Sequence, residues 1–110
     1  MHITVLTPEK EIFQGAVESV KVPGVSGEFQ VLKNHAPIVS ALEAGQVSIV
    51  TAVGKYRYFD DESGAIKTAD EAGKTLTFEV DGGFLEVLNN ELSLLVSGVQ
   101  EDLDTETKED

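Results

Sequence analysis

The chain has 110 residues, of which 41% are hydrophobic, and this size predicts one domain with a modest core. It has no cysteine, which excludes disulfides and thiolate metal sites. Its net charge of −12 argues against nucleic acid or an anionic lipid surface as a direct partner. The first residues show neither a basic region nor a long apolar stretch, so we expect no signal peptide and no transmembrane helix.

The segment 23–37 carries the densest set of turn signals in the chain. Pro23-Gly24 and Ser26-Gly27 are turn dipeptides, because proline fixes φ and glycine accepts positive φ. The residue before Pro37 is held extended. Between these turns lies the short apolar run 29–32, which predicts a strand. Surfaces built from a strand between rigid turns often bind a partner.

Alternating apolar side chains predict further strands with one face in a core and one in water. The alternating positions are Val20 and Val22, Val47 and Ile49, Leu76, Phe78 and Val80, and Leu92, Leu94 and Val96. Helical patterns are weak, so we predict an all-β sandwich of about ten short strands in two sheets. The side chains expected inside it are Phe29, Leu76, Phe78, Val80, Leu92 and Leu94.

Two dipeptides near the end of the chain tolerate positive φ and predict tight turns, Asp81-Gly82 and Asn89-Asn90. They would join three strands, near 75–81, 83–88 and 91–97, into a meander.

Composition divides the chain into a domain and a tail. Residues 1–99 hold the predicted strands, and the polar segment 60–73 within them is predicted to be an insertion. Residues 101–110 contain six acidic residues and one lysine, so we expect a disordered, solvated tail over 100–110.

The sequence shows no set of residues that could perform catalysis. His35 lacks an identifiable nucleophile or orienting carboxylate, so it either braces the turn before Pro37 or belongs to a binding surface. The run Asp60-Asp61-Glu62 lacks the ligand spacing of a calcium loop, and Gly82-Gly83 opens no phosphate-binding helix. We therefore expect no catalytic, metal or nucleotide site and no cofactor.

Several motifs, taken in order, resemble the epsilon subunit of F-type ATP synthases. They are Thr7-Pro8-Glu9, Phe13-Gln14-Gly15, Pro23-Gly24, Gly27-Glu28-Phe29, Val31-Leu32, His35-Ala36-Pro37, the run from Gly82 to Val87, and Asn90. The resemblance implies the β-sandwich domain of that subunit, a non-catalytic rotor component of the central stalk. It would link the gamma subunit to the c-ring at the cytoplasmic face of the membrane, without inserting into lipid, and couple proton or sodium flow to ATP synthesis.

The resemblance also implies an interface. In epsilon subunits the residues matching Glu28 and His35 rest on polar loops of the rotor ring. Gln30 and Lys33 stand where many members have glycine and proline, respectively. The candidate residues for the rotor-ring or gamma interface are thus Glu28, Gln30, Lys33, His35 and Pro37.

Epsilon subunits usually continue into two alanine-rich helices, which inhibit ATP hydrolysis in many bacteria and bind ATP in some. Residues 98–110 show no amphipathic stripe, so we expect a short form without that helical hairpin, without ATP binding and without inhibition by helix insertion. An alternative hypothesis is a free-standing ligand- or protein-binding sandwich, for which Tyr56, Tyr58 and Phe59 would have to supply an aromatic platform.

Overall fold

A computed structural model describes residues 1–60 and 62–102. These residues form strands and turns, with no helix among them, and the predicted all-β class is confirmed. The ten strands are β1 His2–Leu6, β2 Glu11–Gly24, β3 Gly27–Leu32, β4 Ile38–Leu42, β5 Gly45–Asp60, β6 Ala65–Ala69, β7 Thr75–Val80, β8 Gly82–Leu88, β9 Glu91–Ser97 and β10 Gln100–Asp102.

The strands form two layers that share the long strands β2 and β5. The first layer has the order β3, the second half of β2, the first half of β5, β7 and β10. The second layer has the order β4, β8, β9, β1, the first half of β2, the second half of β5, and β6. Because β2 and β5 run through both layers, the hydrogen-bonded network is continuous around the sandwich core.

Strand β2 passes between the layers where its ladder with β5 is irregular. Gly15 lies opposite Tyr56 and Val17 lies opposite Thr51, so residues 52–55 of β5 are additional to the ladder. Such bulges bend a strand and increase its twist. A Cβ atom at Gly15 would lie 2.3 Å from the Cβ atom of Tyr56, so only glycine allows this close approach.

The core contains nearly all the side chains that alternation assigned to it. The buried ones are Val20, Val22, Val47, Ile49, Leu76, Phe78, Val80, Leu92, Leu94 and Val96. Phe29 differs from the prediction, because it is only half-buried and packs against the rim of the core. The physical reason is its place on β3, which among the described strands pairs with β2 alone and leaves one side of Phe29 uncovered.

The predicted meander is wrong. Asn89 and Asn90, with φ of 52° and 64°, do turn the chain between the paired strands β8 and β9. Strand β7, however, pairs with β5 and β10, whereas β8 pairs with β4 and β9. Asp81 therefore marks a corner at which the chain changes layers. A dipeptide that tolerates positive φ fits a corner as well as a hairpin, so the sequence pattern alone could not separate the two.

The polar segment 60–73 contains the return strand β6 of a hairpin with β5. The Nζ atom of Lys67 lies 2.9 Å from the Oδ2 atom of Asp60. This hydrogen bond lowers the pKa of Asp60 and raises the pKa of Lys67. Asp61 lies outside the described residues. That the segment is an insertion stays a prediction.

The acidic end of the chain is described only as far as residue 102. The tail was predicted to be disordered from residue 100, but Gln100–Asp102 form β10 and pair with β7. The ladder with β7 supplies backbone partners that composition does not reveal. Residues 103–110, the rest of the predicted tail, lie outside the described residues.

Candidate interaction surfaces

The five residues proposed for an interface lie along β3 and the loop that follows it. Glu28 and Gln30 are exposed on β3, on the face opposite the buried Val31, as alternation predicted. Lys33 and Pro37 are exposed in the loop of residues 33–37, which connects β3 in the first layer to β4 in the second.

These residues form two groups rather than one cluster. Glu28 lies opposite Pro23, beside the turn between β2 and β3. It is four residues from Leu32, the end of β3, which corresponds to about 13 Å at roughly 3.3 Å per residue. Glu28 and His35 therefore mark opposite ends of an edge strand, and a single small ligand would not touch both.

His35 braces its own loop. Its backbone N–H donates to the carbonyl oxygen of Leu32 at 3.1 Å. Its ring atom Nδ1 lies 2.7 Å from the carbonyl oxygen of Ala36 and donates to it when Nδ1 carries the proton. The side chain is half-buried. This geometry agrees with the bracing role that the sequence left open beside the binding role.

A pair of asparagines connects this loop to the turn between β8 and β9. The backbone N–H of Asn34 donates to Oδ1 of Asn90 at 2.7 Å, and Nδ2 of Asn90 donates to Oδ1 of Asn34 at 3.1 Å. The two residues are 56 positions apart in the sequence. Sequence reasoning missed this pairing because each asparagine is explained locally by its turn.

A row of apolar side chains crosses the outer face of the second layer. Phe84 is 59% exposed, its partner Leu95 on β9 is 50% exposed, and Leu6, beside Leu95 on β1, is 36% exposed. The half-buried Ala41 on β4 lies opposite Phe84 and completes the row. We call Ala41, Phe84, Leu95 and Leu6 the apolar row. It borders an open depression of about 400 Å³.

The neighbouring positions on this face are polar except for the exposed Val39. The next row holds Val39, Glu86, Ser93 and Thr4, in which the one ionisable group is a carboxylate. Sequence reasoning missed the apolar row, although a signal existed. Phe84 and Leu95 interrupt the alternation of β8 and β9, since apolar residues there occupy both the inward and the outward positions.

The aromatic side chains of β5 do not form a free platform. Tyr56 is buried and stacks on Phe13 with a centroid distance of 5.3 Å. Tyr58 packs against Tyr56 at 6.1 Å, and the ammonium group of Lys10 lies 3.6 Å from the centre of the Phe59 ring. These contacts give each ring an intramolecular partner, which weighs against the ligand-binding alternative.

Over residues 1–60 and 62–102, no group of three or more histidine, cysteine or acidic side chains is placed to hold a metal ion. No helix in this part of the chain is long and apolar enough to cross a bilayer.

The sequence matches the family model described as "ATP synthase, Delta/Epsilon chain, beta-sandwich domain" over residues 1–60. The chain belongs to this family. The match to the delta/epsilon domain ends at Asp60, where the predicted insertion begins. The predicted resemblance to epsilon subunits is confirmed.

Curated delta/epsilon relatives agree with this assignment. The ATP synthase epsilon chain of Chlorobium limicola is 35% identical over 88% of this chain and 89% of its own length. That of Leptospira borgpetersenii is 32% identical over 98% of this chain and 71% of its own length. That of Salinibacter ruber is 30% identical over 91% of this chain, which spans 60% of that longer relative.

Solved structures share the fold. A chain of the mitochondrial ATP synthase of Euglena gracilis, described as OSCP/F1/c-ring, has a TM-score of 0.66 at 19% identity and matches 90% of this chain and 51% of its own length. A chain of the Tetrahymena thermophila central stalk/c-ring has a TM-score of 0.60 at 18% identity, over 92% of this chain and 66% of its own. At such identities the likeness concerns the sandwich fold.

Proposed function

We propose that this chain is a rotor subunit of the central stalk, which links the gamma subunit to the c-ring and performs no reaction of its own. The observation that carries the proposal is the apolar row on a chain of the delta/epsilon family. Exposed contiguous apolar side chains mark sites of protein association. The ring would translocate the ion and the catalytic head would make ATP, while this chain turns with the stalk at the cytoplasmic face of the membrane.

The apolar row is the surface we assign to the gamma subunit. Its residues come from four adjacent strands, so their spacing is fixed by hydrogen-bonded ladders and little ordering is needed on binding. Phe84 lies between Ala41 and Leu95 in this row and is its most exposed large side chain. Aromatic residues near the centre of an apolar patch are typical of positions that dominate binding energy.

The β3 edge and the loop of residues 33–37 are the surface we assign to the c-ring. Glu28, Gln30 and Lys33 are exposed polar side chains, and Pro37 stiffens the exit from the loop. Such a surface suits polar loops of a partner better than an apolar one. It is supplied by different strands from the apolar row, so both partners could bind at once.

Replacing Phe84 with aspartate should weaken association with the gamma subunit about tenfold or more, because a charge would be buried in an apolar contact. The fold should persist, since the side chain is 59% exposed. The measurement is binding of purified gamma subunit to the full chain. Val53→Asp is the matched control, because Val53 is 84% exposed and belongs to the additional residues of β5. Equal binding of the gamma subunit by both variants would contradict the assignment of gamma to the apolar row.

Combining Glu28→Lys with His35→Ala should weaken the coupling of ion flow to ATP synthesis while leaving the sandwich folded. The contacts of Glu28 and His35 with the c-ring are expected to be polar and at the rim of the interface. Each would contribute only about 1 kcal/mol to binding, so both residues are changed together. Coupling is measured in membranes reconstituted with the variant chain. Glu79→Lys, the same charge reversal at an exposed side chain of β7, is the control. Coupling equal to that of the control would contradict the ring assignment.

A further inference from the structure

The loop of residues 33–37 has to be held in one conformation without a strand ladder of its own. It crosses from the first layer to the second, and β3, from which it departs, has β2 as its ladder partner in the described chain. A crossing loop without a ladder is ordinarily mobile. Yet the proposed function places Lys33, His35 and Pro37 in this loop, where a partner has to find them in one arrangement.

Hydrogen bonds between Asn34 and Asn90 fix the position of the loop. Their two hydrogen bonds join the loop to the β8–β9 turn, which belongs to the second layer. That turn is anchored in its own right, because the carbonyl oxygen of Asn90 accepts a hydrogen bond from the backbone N–H of His2 at 2.9 Å. The loop is therefore fastened to a tight turn that is itself hydrogen-bonded to β1.

The backbone explains why asparagine occupies both positions. Asn34 has a φ of 67° and Asn90 a φ of 64°, in the left-handed region that glycine and asparagine tolerate best. Glycine would satisfy the backbone but offers no side chain. Asparagine combines the left-handed conformation with an amide that both donates and accepts. The side chain of Asn90 both donates and accepts, whereas at Asn34 the side chain accepts and the backbone N–H donates.

We propose that Asn34 and Asn90 are positioning residues, whose paired amides hold the loop of residues 33–37 against the β8–β9 turn in the form that the c-ring binds. The choice of the c-ring as the partner rests on the proposed function, whereas the pairing of Asn34 with Asn90 does not. The pairing contributes through preorganisation, since a loop already held in its bound form loses less entropy on association. His35 continues the arrangement by bracing the next peptide, at Ala36.

The test compares Asn90→Gly with Asn89→Gly in the full chain. Both positions lie in the same turn with positive φ, and glycine suits that φ equally at both, but only the first substitution removes the partner of Asn34. We expect Asn90→Gly to speed hydrogen exchange of the backbone N–H of Asn34 about tenfold, while Asn89→Gly leaves this exchange rate unchanged. Asn90→Asp keeps an oxygen for that amide and should retain slow exchange.

Association with membranes that hold the c-ring and gamma subunit but lack this chain supplies the second measurement. We expect Asn90→Gly to bind about fivefold more weakly than Asn89→Gly, with unfolding midpoints alike. Unchanged exchange at Asn34 would overturn the pairing. Fast exchange with unchanged association would overturn the positioning role. If the combined Glu28 and His35 variant also bound normally, the ring assignment itself would fail, and exchange at Asn34 would still decide the pairing.

Discussion

Replacing Phe78 with alanine is expected to lower the free energy of unfolding by about 3–5 kcal/mol, because a large side chain is removed from a close-packed interior. Phe78 is 1% exposed and lies in β7, opposite the buried Val47 of β5. Domains of this size are stable by only about 5–15 kcal/mol, so much of the stability would be lost. Denaturant unfolding of the isolated full chain measures the change.

Phe84→Ala is the matched control for this experiment. It makes the same chemical change on β8, where the side chain is 59% exposed and belongs to the apolar row. Little packing is lost there, so the unfolding midpoint should move only slightly. Two variants with equal midpoints would place Phe78 outside the core and would refute the register of β7 with β5.

This pair of phenylalanines shows what the sequence can predict and where it stops. Alternation placed Phe78 inside correctly, because β7 carries polar residues at every second position. Phe84 breaks alternation, and the sequence alone does not say whether such a residue is a misjudged core position or a surface for a partner. The exposure of Phe84 and of its neighbours Leu95 and Leu6 shows that it is not a core position.

Long-range pairing was the part that local pattern could not supply. The β8–β9 turn was recognised from Asn89-Asn90, but the pairing of Asn90 with Asn34 joins positions 56 residues apart. The partition of β7 and β8 into different layers likewise depends on which strands each one meets, not on the turn between them. Phe29 was placed too deep for the same reason, because alternation gives the face of a side chain but not the position of its strand within a sheet.

Two adjacent glycines at the start of β8 allow a sharp test of strand packing. Gly82 and Gly83 have nearly the same φ, 156° and 155°, so the backbone strain caused by alanine should be similar at both positions. Their surroundings differ. A Cβ atom at Gly83 would lie 2.1 Å from the carbonyl oxygen of Leu95 and 2.9 Å from the Cα atom of Val96, whereas at Gly82 the nearest contact, the carbonyl oxygen of Leu42, is 3.4 Å away.

Gly83→Ala should therefore destabilise the chain by about 3 kcal/mol more than Gly82→Ala, at the upper end of the usual cost of overpacking. The atoms it meets are backbone atoms of β9, which cannot rotate away, so β8 and β9 would have to separate. The β8–β9 ladder sets the positions of Phe84 and Leu95. Its displacement should therefore also weaken binding of the gamma subunit. Denaturant unfolding and gamma binding of both variants measure the two effects. Equal stability of the variants would mean that β8 and β9 are not in this register, and the apolar row would lose its geometric basis.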